Sequence, residues 1–269
     1  MLFIIRLRGP CSMRKPLIFA FDMTQFAHDT VVPDKASQQP KKEQVAEMFD
    51  DIAHRYDFLN RFLSGGLDIG WRKKALGYLA AKKPLKILDV ATGTADVAIM
   101  ASRLLKPNSI IGIDISDGML EIGSQKITKL GLQNTIQLLN GDSETISFAT
   151  SSFDAVTVAF GVRNFQNLEK GMAEILRVLK PGGKLVVLEF SKPKIALVKS
   201  FYNVYMKFVT PNMGKLFSKN RSAYQYLDES IQKFPEGKDF LTILNNVGYI
   251  NTQCKPLSLG ICSIYCGEK

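Results

Sequence analysis

Histidine and cysteine are scarce, with 2 His and 4 Cys in 269 residues. His28 and His54 lie far in sequence from Cys254, Cys262 and Cys266, and no C-x-x-C occurs. The spacing of a zinc site is therefore missing, and no metal is expected. The thiols, Cys11 included, read as reduced side chains of a cytosolic protein. No apolar run reaches the roughly 18 residues of a membrane span. No G-x-x-x-x-G-K-[ST] pattern occurs, which removes the usual phosphate cradle. Arginine and lysine nowhere cluster densely with aromatic residues, so nucleic acid is disfavoured as a partner. The net charge of +10 leaves an anionic membrane surface or acidic ligands, beside a merely diffuse basic surface.

What is present centres on residues 86–96, KILDVATGTAD. Ile87, Leu88 and Val90 read as a buried strand carrying Asp89 near its end. The chain then turns at Gly93, and a helical pattern follows (Val97, Ala98, Ala101, Leu104). Strand, glycine turn and helix N-terminus form a nucleotide-binding device. A dinucleotide would want close glycines, but Ala91, Ala95 and Ala98 surround Gly93. An adenosine ligand without phosphates fits better, with S-adenosylmethionine foremost; the plain alternative is a unit that binds nothing. Asp114 ends the next strand, where a carboxylate suits a pair of ribose hydroxyls.

The N-terminus reads as an over-extended start (1–22) with translation beginning at Met23, and 1–42 as a flexible leader. Apolar residues then recur at helical spacing (Val45, Met48, Phe49, Ile52, Tyr56, Leu59) until Gly65 and Gly66. A second helix carries Trp71, Ala75 and Leu76. The aromatic side chains of this layer either pack on a sheet or wall an apolar pocket. From Lys86 onward strands (86–90, 109–114, 135–140, 153–160, 184–190) alternate with helices (94–105, 118–130, 168–179). That predicts an α/β fold, a doubly wound and mostly parallel sheet. An aromatic helical insertion follows at 195–217, then helices at 224–234 and 240–247. Closing strands are expected at 249–255 and 257–266, separated by Lys255-Pro256.

Ligands of such sheets sit beyond the carboxyl ends of the strands. Asp142 and Ser143 follow the third strand and can accept from an adenine amine, unless they form only a solvated turn. Phe160-Gly-Val-Arg-Asn-Phe165 follows the fourth. Arg163 there can orient a polar head, or Asn164 or Asn167 simply caps a helix. Asp96 opens the first helix of the unit, and His54, Tyr56 and Asp57 cluster on the N-terminal helix.

At these residues the chain resembles the class I S-adenosylmethionine-dependent methyltransferases, and within them the UbiE/MenG quinone C-methyltransferases. The resemblance runs from about Glu43 to the C-terminus. MFDDIAHRYDFLN, LDVATGTAD, FGVRN, LKPGGKLVVLEFSKP and YQYLDESIQKFP carry it. It implies a single Rossmann-like domain over 43–269 with a seven-stranded sheet, N-terminal helices and a helical insertion after the fifth strand. It implies cofactor contacts at Asp89, Gly93, Thr94, Asp114, Asp142 and Ser143. The implied reaction moves a methyl group from S-adenosylmethionine to a ring carbon of demethylmenaquinol. A methoxy-benzoquinol of ubiquinone synthesis is the close alternative, and a non-catalytic binding module the distant one. Candidate catalytic residues are His54, Tyr56 or Asp57 as base and Arg163 as phenolate stabiliser. The prenyl tail of such a substrate implies a cytoplasmic enzyme that meets the inner membrane surface, with 195–217 as lid or interfacial patch, and leaves a homodimer open.

Overall fold

A computed structural model describes residues 26–193 and 221–269. The expected start at Met23 and the insertion at 195–217 lie outside the described residues. The elements run α1 (Lys41–Leu63), α2 (Leu67–Gly77), β1 (Lys86–Val90), α3 (Asp96–Leu105), β2 (Ser109–Asp114) and α4 (Asp117–Lys129). They continue β3 (Ile136–Asn140), β4 (Phe153–Ala159), α5 (Leu168–Val178), β5 (Leu179–Phe190), α6 (Arg221–Lys233), α7 (Lys238–Val247), β6 (Ile250–Leu257) and β7 (Cys262–Glu268).

The seven strands form one sheet in the order β3-β2-β1-β4-β5-β7-β6. The first five pair in parallel, and β7 inserts antiparallel between β5 and β6. The strand reversal between β1 and β4 creates the crevice where ligands of such sheets bind. Parallel strands must be covered on both faces, which explains their near-continuous apolar runs. One face buries Leu168, Met172 and Ile175 of α5 and Phe240 and Leu244 of α7 against Val156, Val158 and Val187. The other buries Trp71 and Leu76 of α2 and Ala98 and Ile99 of α3 against Ile87, Ala155 and Ile264. Each large side chain so buried contributes about 1.5–3 kcal/mol.

Three local features differ from expectation. The stretch Lys180–Gly183, which falls between the expected helix 168–179 and the expected strand 184–190, is not a separate connection. It is the irregular start of β5, where pairing jumps from Phe153–Leu179 to Ala155–Lys184. Pro256 lies inside β6, opposite Ser263 of β7. A proline is tolerated there because β6 is the edge strand and one of its sides needs no ladder partner. The segment expected as a flexible leader is packed from residue 26 onward. His28 and Val31 are buried, and the Lys41 ammonium donates to the carbonyls of His28 (2.7 Å) and Arg163 (3.4 Å). His28 itself sits edge-on to Phe234, and burial holds its pKa down to about 3.

Gly112, in the middle of β2, marks where the sheet meets the glycine turn. A Cβ there would lie 2.6 Å from Leu138 and 2.8 Å from the Thr92 hydroxyl. Gly112→Ala is expected to cost about 1–3 kcal/mol through overpacking. A lowered urea midpoint at unchanged slope would bear this out, and an unchanged midpoint would refute it.

Candidate functional site

The turn after β1 is built for close approach. Gly93 has φ +54°, and its N–H donates to the Asp114 carboxylate at 2.8 Å. Alanines replace the neighbouring glycines of the wider pattern, yet they take the same left-handed backbone, φ +52° at Ala91 and +64° at Ala95. That geometry costs an alanine roughly 1–2 kcal/mol. Asp89 braces the turn from below. Its buried carboxylate accepts from the Thr92 and Thr157 hydroxyls at 2.6 Å each. Burial nonetheless raises its pKa to about 6.

Above this turn lies a cleft of about 650 Å³. Its floor is the carboxyl edge of the sheet: Ala91 and Gly93 after β1, Asp114 and Ile115 at β2, residues 141–144 after β3, and residues 159–161 after β4. Its roof is α1, through Lys42, Val45, Phe49 and Tyr56. Asp114 accepts from the backbone N–H groups of Gly93 and Ser116, while burial raises its pKa. Asp142 accepts from the Glu144 N–H at 2.8 Å and pairs with the Lys42 ammonium at 3.1 Å. The cleft is therefore lined by three carboxylates, Asp114, Asp142 and Glu144, against one ammonium, Lys42.

Polar contacts tie α1 across the top of this cleft. Asp50 accepts from the Ser116 hydroxyl at 2.6 Å and the Gly118 N–H at 2.8 Å, which puts a carboxylate at the positive end of α4. Asp57 accepts from Thr94 at 2.5 Å and from Lys126 at 2.8 Å. Lys126 also reaches Asp96 at 2.5 Å, and Asp96 faces Arg61 and Arg72 as well. Burial alone would raise the Asp96 pKa, but Lys126, Arg72 and Arg61 together hold it below the usual range.

Of the residues singled out from the sequence, Tyr56, Gly93, Asp114, Asp142 and Ser143 meet around the cleft. Asp89 and Thr94 stand outside its lining, turned toward Thr157 and Asp57 respectively. His54 is exposed on the outer side of α1 and does not line the cleft. Asp57, another candidate base, pairs with the Lys126 ammonium at 2.8 Å and is not among the cleft's lining residues. Arg163 is buried beneath the Val162–Asn164 turn. Its guanidinium pairs with Glu189 at 2.9 Å and also bonds the Phe160 carbonyl, and Arg163 is not among the cleft's lining residues. Asn167, rather than Asn164, caps α5, accepting from the Lys170 N–H. Asn164 instead lines the cleft and accepts from the Tyr226 hydroxyl at 3.1 Å. Phe49 and Tyr56 wall the cleft, whereas Trp71 packs on the sheet.

Sequence reasoning missed Lys42, Asp50 and Met119. The i, i+4 recurrence of Val45 and Phe49 signalled an apolar helix face, but not which ligand cavity it would cover.

A single antiparallel strand in an otherwise parallel seven-stranded sheet, with a cleft at its carboxyl edge, is the fold of the class I S-adenosylmethionine-dependent methyltransferases. A putative S-adenosyl-L-methionine-dependent methyltransferase from Methanococcus maripaludis has this fold, with a TM-score of 0.60 at 18% identity over 87% of this chain and 96% of that one. The chain belongs to the ubiE/COQ5 methyltransferase family, whose model matches residues 37–269. A demethylmenaquinone methyltransferase of Bacteroides fragilis is 47% identical over 229 residues, 85% of this chain and 94% of that protein. A ubiquinone/menaquinone biosynthesis C-methyltransferase of Geotalea daltonii is 47% identical over 230 residues, 85% of this chain and 97% of that protein.

Proposed function

We propose that this chain transfers a methyl group from S-adenosylmethionine to a ring carbon of demethylmenaquinol, giving menaquinol. The charge of the cleft carries the cofactor part of this reading. Three carboxylates against one ammonium disfavour a pyrophosphate and suit a ligand with a sulfonium and an amine. Asp114 would accept from the ribose hydroxyls, Asp142 and Ser143 would meet the adenine, and the bare backbone at Gly93 would let the ligand lie close. Thr94 and Asp89 would act indirectly, by holding the turn. Residues 43–269 would form one catalytic unit. The quinol part rests on the relatives' names and on the apolar wall made by Val45, Phe49, Tyr56 and Phe165.

Bound S-adenosylmethionine supplies an electrophilic methyl group: the S–C bond breaks as the C–C bond forms, and the pair of electrons stays on sulfur. The protein must hold a ring carbon of the quinol in line with that bond. One quinol hydroxyl gives its proton to solvent, which raises electron density at the adjacent ring carbon. Once that carbon has taken the methyl group it loses its ring hydrogen as a proton and the oxygen is reprotonated, so one proton is released overall. Tyr56 faces the cleft, and burial holds its hydroxyl above its ordinary pKa, so it would serve as a protonated donor to the quinol oxygen. Asn164, steadied by Tyr226, offers a second polar contact. Arg163 acts through the backbone, by fixing the turn that carries Asn164. The enzyme would work in the cytoplasm at the inner membrane surface, where a prenylated substrate resides.

The test is a paired assay. Purified protein with S-adenosylmethionine is offered demethylmenaquinol and, separately, a 2-methoxy-6-polyprenyl-1,4-benzoquinol, and products are identified by mass. Methylation of the naphthoquinol in clear preference bears the reading out. Methylation of the benzoquinol alone assigns the other substrate, and methylation of neither, with S-adenosylmethionine bound, rejects both.

A further inference from the structure

The roof helix α1 has two working edges. Val45, Phe49 and Tyr56 recur at helical spacing and wall the cleft. Asp50, Ala53 and Asp57 recur as i, i+3 and i+7, a second stripe turned about 100° from the first. That stripe lies along α4 and the glycine turn. Asp50 accepts from Ser116 and Gly118 at the start of α4, and Asp57 accepts from Thr94 in the turn and from Lys126 on α4. Ala53 stands between them and is buried; a Cβ added to Gly118 would lie 3.5 Å from the Ala53 methyl.

The contact at Asp50 leads directly to the cleft carboxylate Asp114. One oxygen of Asp50, Oδ1, takes both hydrogen bonds, from the Ser116 hydroxyl at 2.6 Å and from the Gly118 N–H at 2.8 Å. Ser116 is fully buried, and its hydroxyl is used twice. It donates to Asp50 and accepts from the Met119 N–H at 3.2 Å, as the N-cap of α4. The backbone N–H of Ser116 donates to Oδ1 of Asp114 at 3.0 Å, while the Gly93 N–H donates to Oδ2 at 2.8 Å. Backbone groups thus aim both oxygens of Asp114, and one of those groups belongs to the residue that Asp50 holds. The approach of the two helices is close: a Cβ at Gly118 would come within 3.1 Å of Asp50 Oδ1 and 3.3 Å of Asp50 Cα. Asp50 as a whole residue is exposed, so truncating it opens no cavity in the core.

We propose that Asp50 is a positioning residue for the cofactor: through Ser116 it fixes the carboxylate of Asp114, and by the same contact it seats the wall of Val45, Phe49 and Tyr56 over the bound ligand. This rests on the reading that Asp114 meets the ribose of S-adenosylmethionine. The competing account is that Asp50 acts by charge alone, attracting the sulfonium or the positive end of α4. Geometry and charge are separable here, because asparagine keeps the Oδ1 acceptor and drops the charge. Burial raises the Asp114 pKa, and the Asp50 charge adds to that rise. Removing the charge alone therefore favours the ionised form of Asp114 and does not weaken its hold on the ribose.

The experiment is calorimetric titration of the full chain with S-adenosylmethionine, without quinol, beside thermal unfolding of each variant. Asp50→Ala is expected to raise Kd about tenfold, the scale of one charge-assisted hydrogen bond. Asp50→Asn should bind as the wild type does. Ser116→Ala should also lose affinity, and Asp50→Ala combined with Ser116→Ala should bind no worse than the weaker single variant, because both act through one contact. Gly118→Ala leaves Asp50, Ser116 and Asp114 chemically intact but wedges α1 from α4. It should weaken binding even though alanine is the better helix former. Equal losses in Asp50→Ala and Asp50→Asn would overturn the proposal in favour of charge, and additive losses in the double variant would overturn the path through Ser116. Should Asp50→Ala not fold, Gly118→Ala decides, and unchanged binding in it overturns the proposal. Normal binding by Asp50→Ala, with affinity lost in Asp114→Ala, overturns this proposal and leaves the cofactor reading standing. Normal binding by Asp114→Ala, or none by the wild type, overturns both.

Discussion

Asp114→Ala is expected to weaken S-adenosylmethionine binding by about hundredfold or more. A carboxylate that accepts from two ribose hydroxyls contributes two charge-assisted hydrogen bonds, each worth about 1.5–3 kcal/mol, and about 1.4 kcal/mol is tenfold in affinity. The carboxylate also orients the turn, since it accepts from the Gly93 N–H at 2.8 Å and the Ser116 N–H at 3.0 Å. Its loss therefore removes both a ligand contact and the geometry of the glycine turn. Calorimetric titration checks this, with thermal unfolding alongside to show that the variant is folded. Asp114→Asn keeps one carbonyl oxygen and should fall between the two. A folded alanine variant that binds S-adenosylmethionine as the wild type does would remove Asp114 from the site.

Arg163→Ala is expected to destabilise the fold by about 3–5 kcal/mol, because it leaves Glu189 as an uncompensated charge in a fully buried position. Substituting both partners with apolar residues, Arg163→Met with Glu189→Leu, should recover most of that loss, since neither charge is then buried alone. The pH dependence has a definite sign. Burial already raises the Glu189 pKa, and removing Arg163 takes away the main opposing attraction. A carboxyl whose folded pKa lies above its unfolded value binds more protons when folded. Stability of the alanine variant should thus fall as pH rises from the unfolded pKa through the raised folded one. Urea unfolding at acid and at neutral pH checks this. A variant as stable as the wild type, but inactive, would return Arg163 to the chemistry; a destabilised variant whose remaining folded fraction turns over normally would confirm a structural role.

The two substitutions divide along the line between pattern and packing. Asp114 was readable because its place follows from the βα repeat: it is the strand-ending acid one unit after the glycine turn, and that position puts it on the cleft lining. Strands β1 and β2 carry their bounds in the sequence for a similar reason. Their apolar runs are buried on both faces, and a turn residue or an acid stops each one. The bounds of β6 and β7 were less legible. β6 is an edge strand with its side chains largely exposed, so it has no two-sided apolar run, and Pro256 imitates a break.

The catalytic candidates were legible as residue types but not as directions. His54, Tyr56 and Asp57 stand within four positions on α1, yet each step of about 100° turns them to solvent, to the cleft and to Lys126 respectively. Arg163 lies beside a glycine in a loop at the sheet edge, which suggested a ligand contact. Its guanidinium is instead claimed by Glu189, 26 residues away on β5. Lys42 and Asp50 carried no local signal at all, because their partners, Asp142 and the start of α4, are 100 and 66 or more residues distant.

By itself, then, the sequence determined the doubly wound sheet, the glycine turn, the acids at the strand ends and the kind of ligand they suit. These depend on short-range periodicity and on the fixed relation between a strand and the turn that ends it. Only the tertiary structure decided that α1 roofs the cleft, that the two partners of the buried Arg163–Glu189 pair meet, and that Asp50 reaches Ser116. Each of those depends on which way a side chain turns once distant segments pack, and burial and charge pairing between segments settle that after the chain has folded.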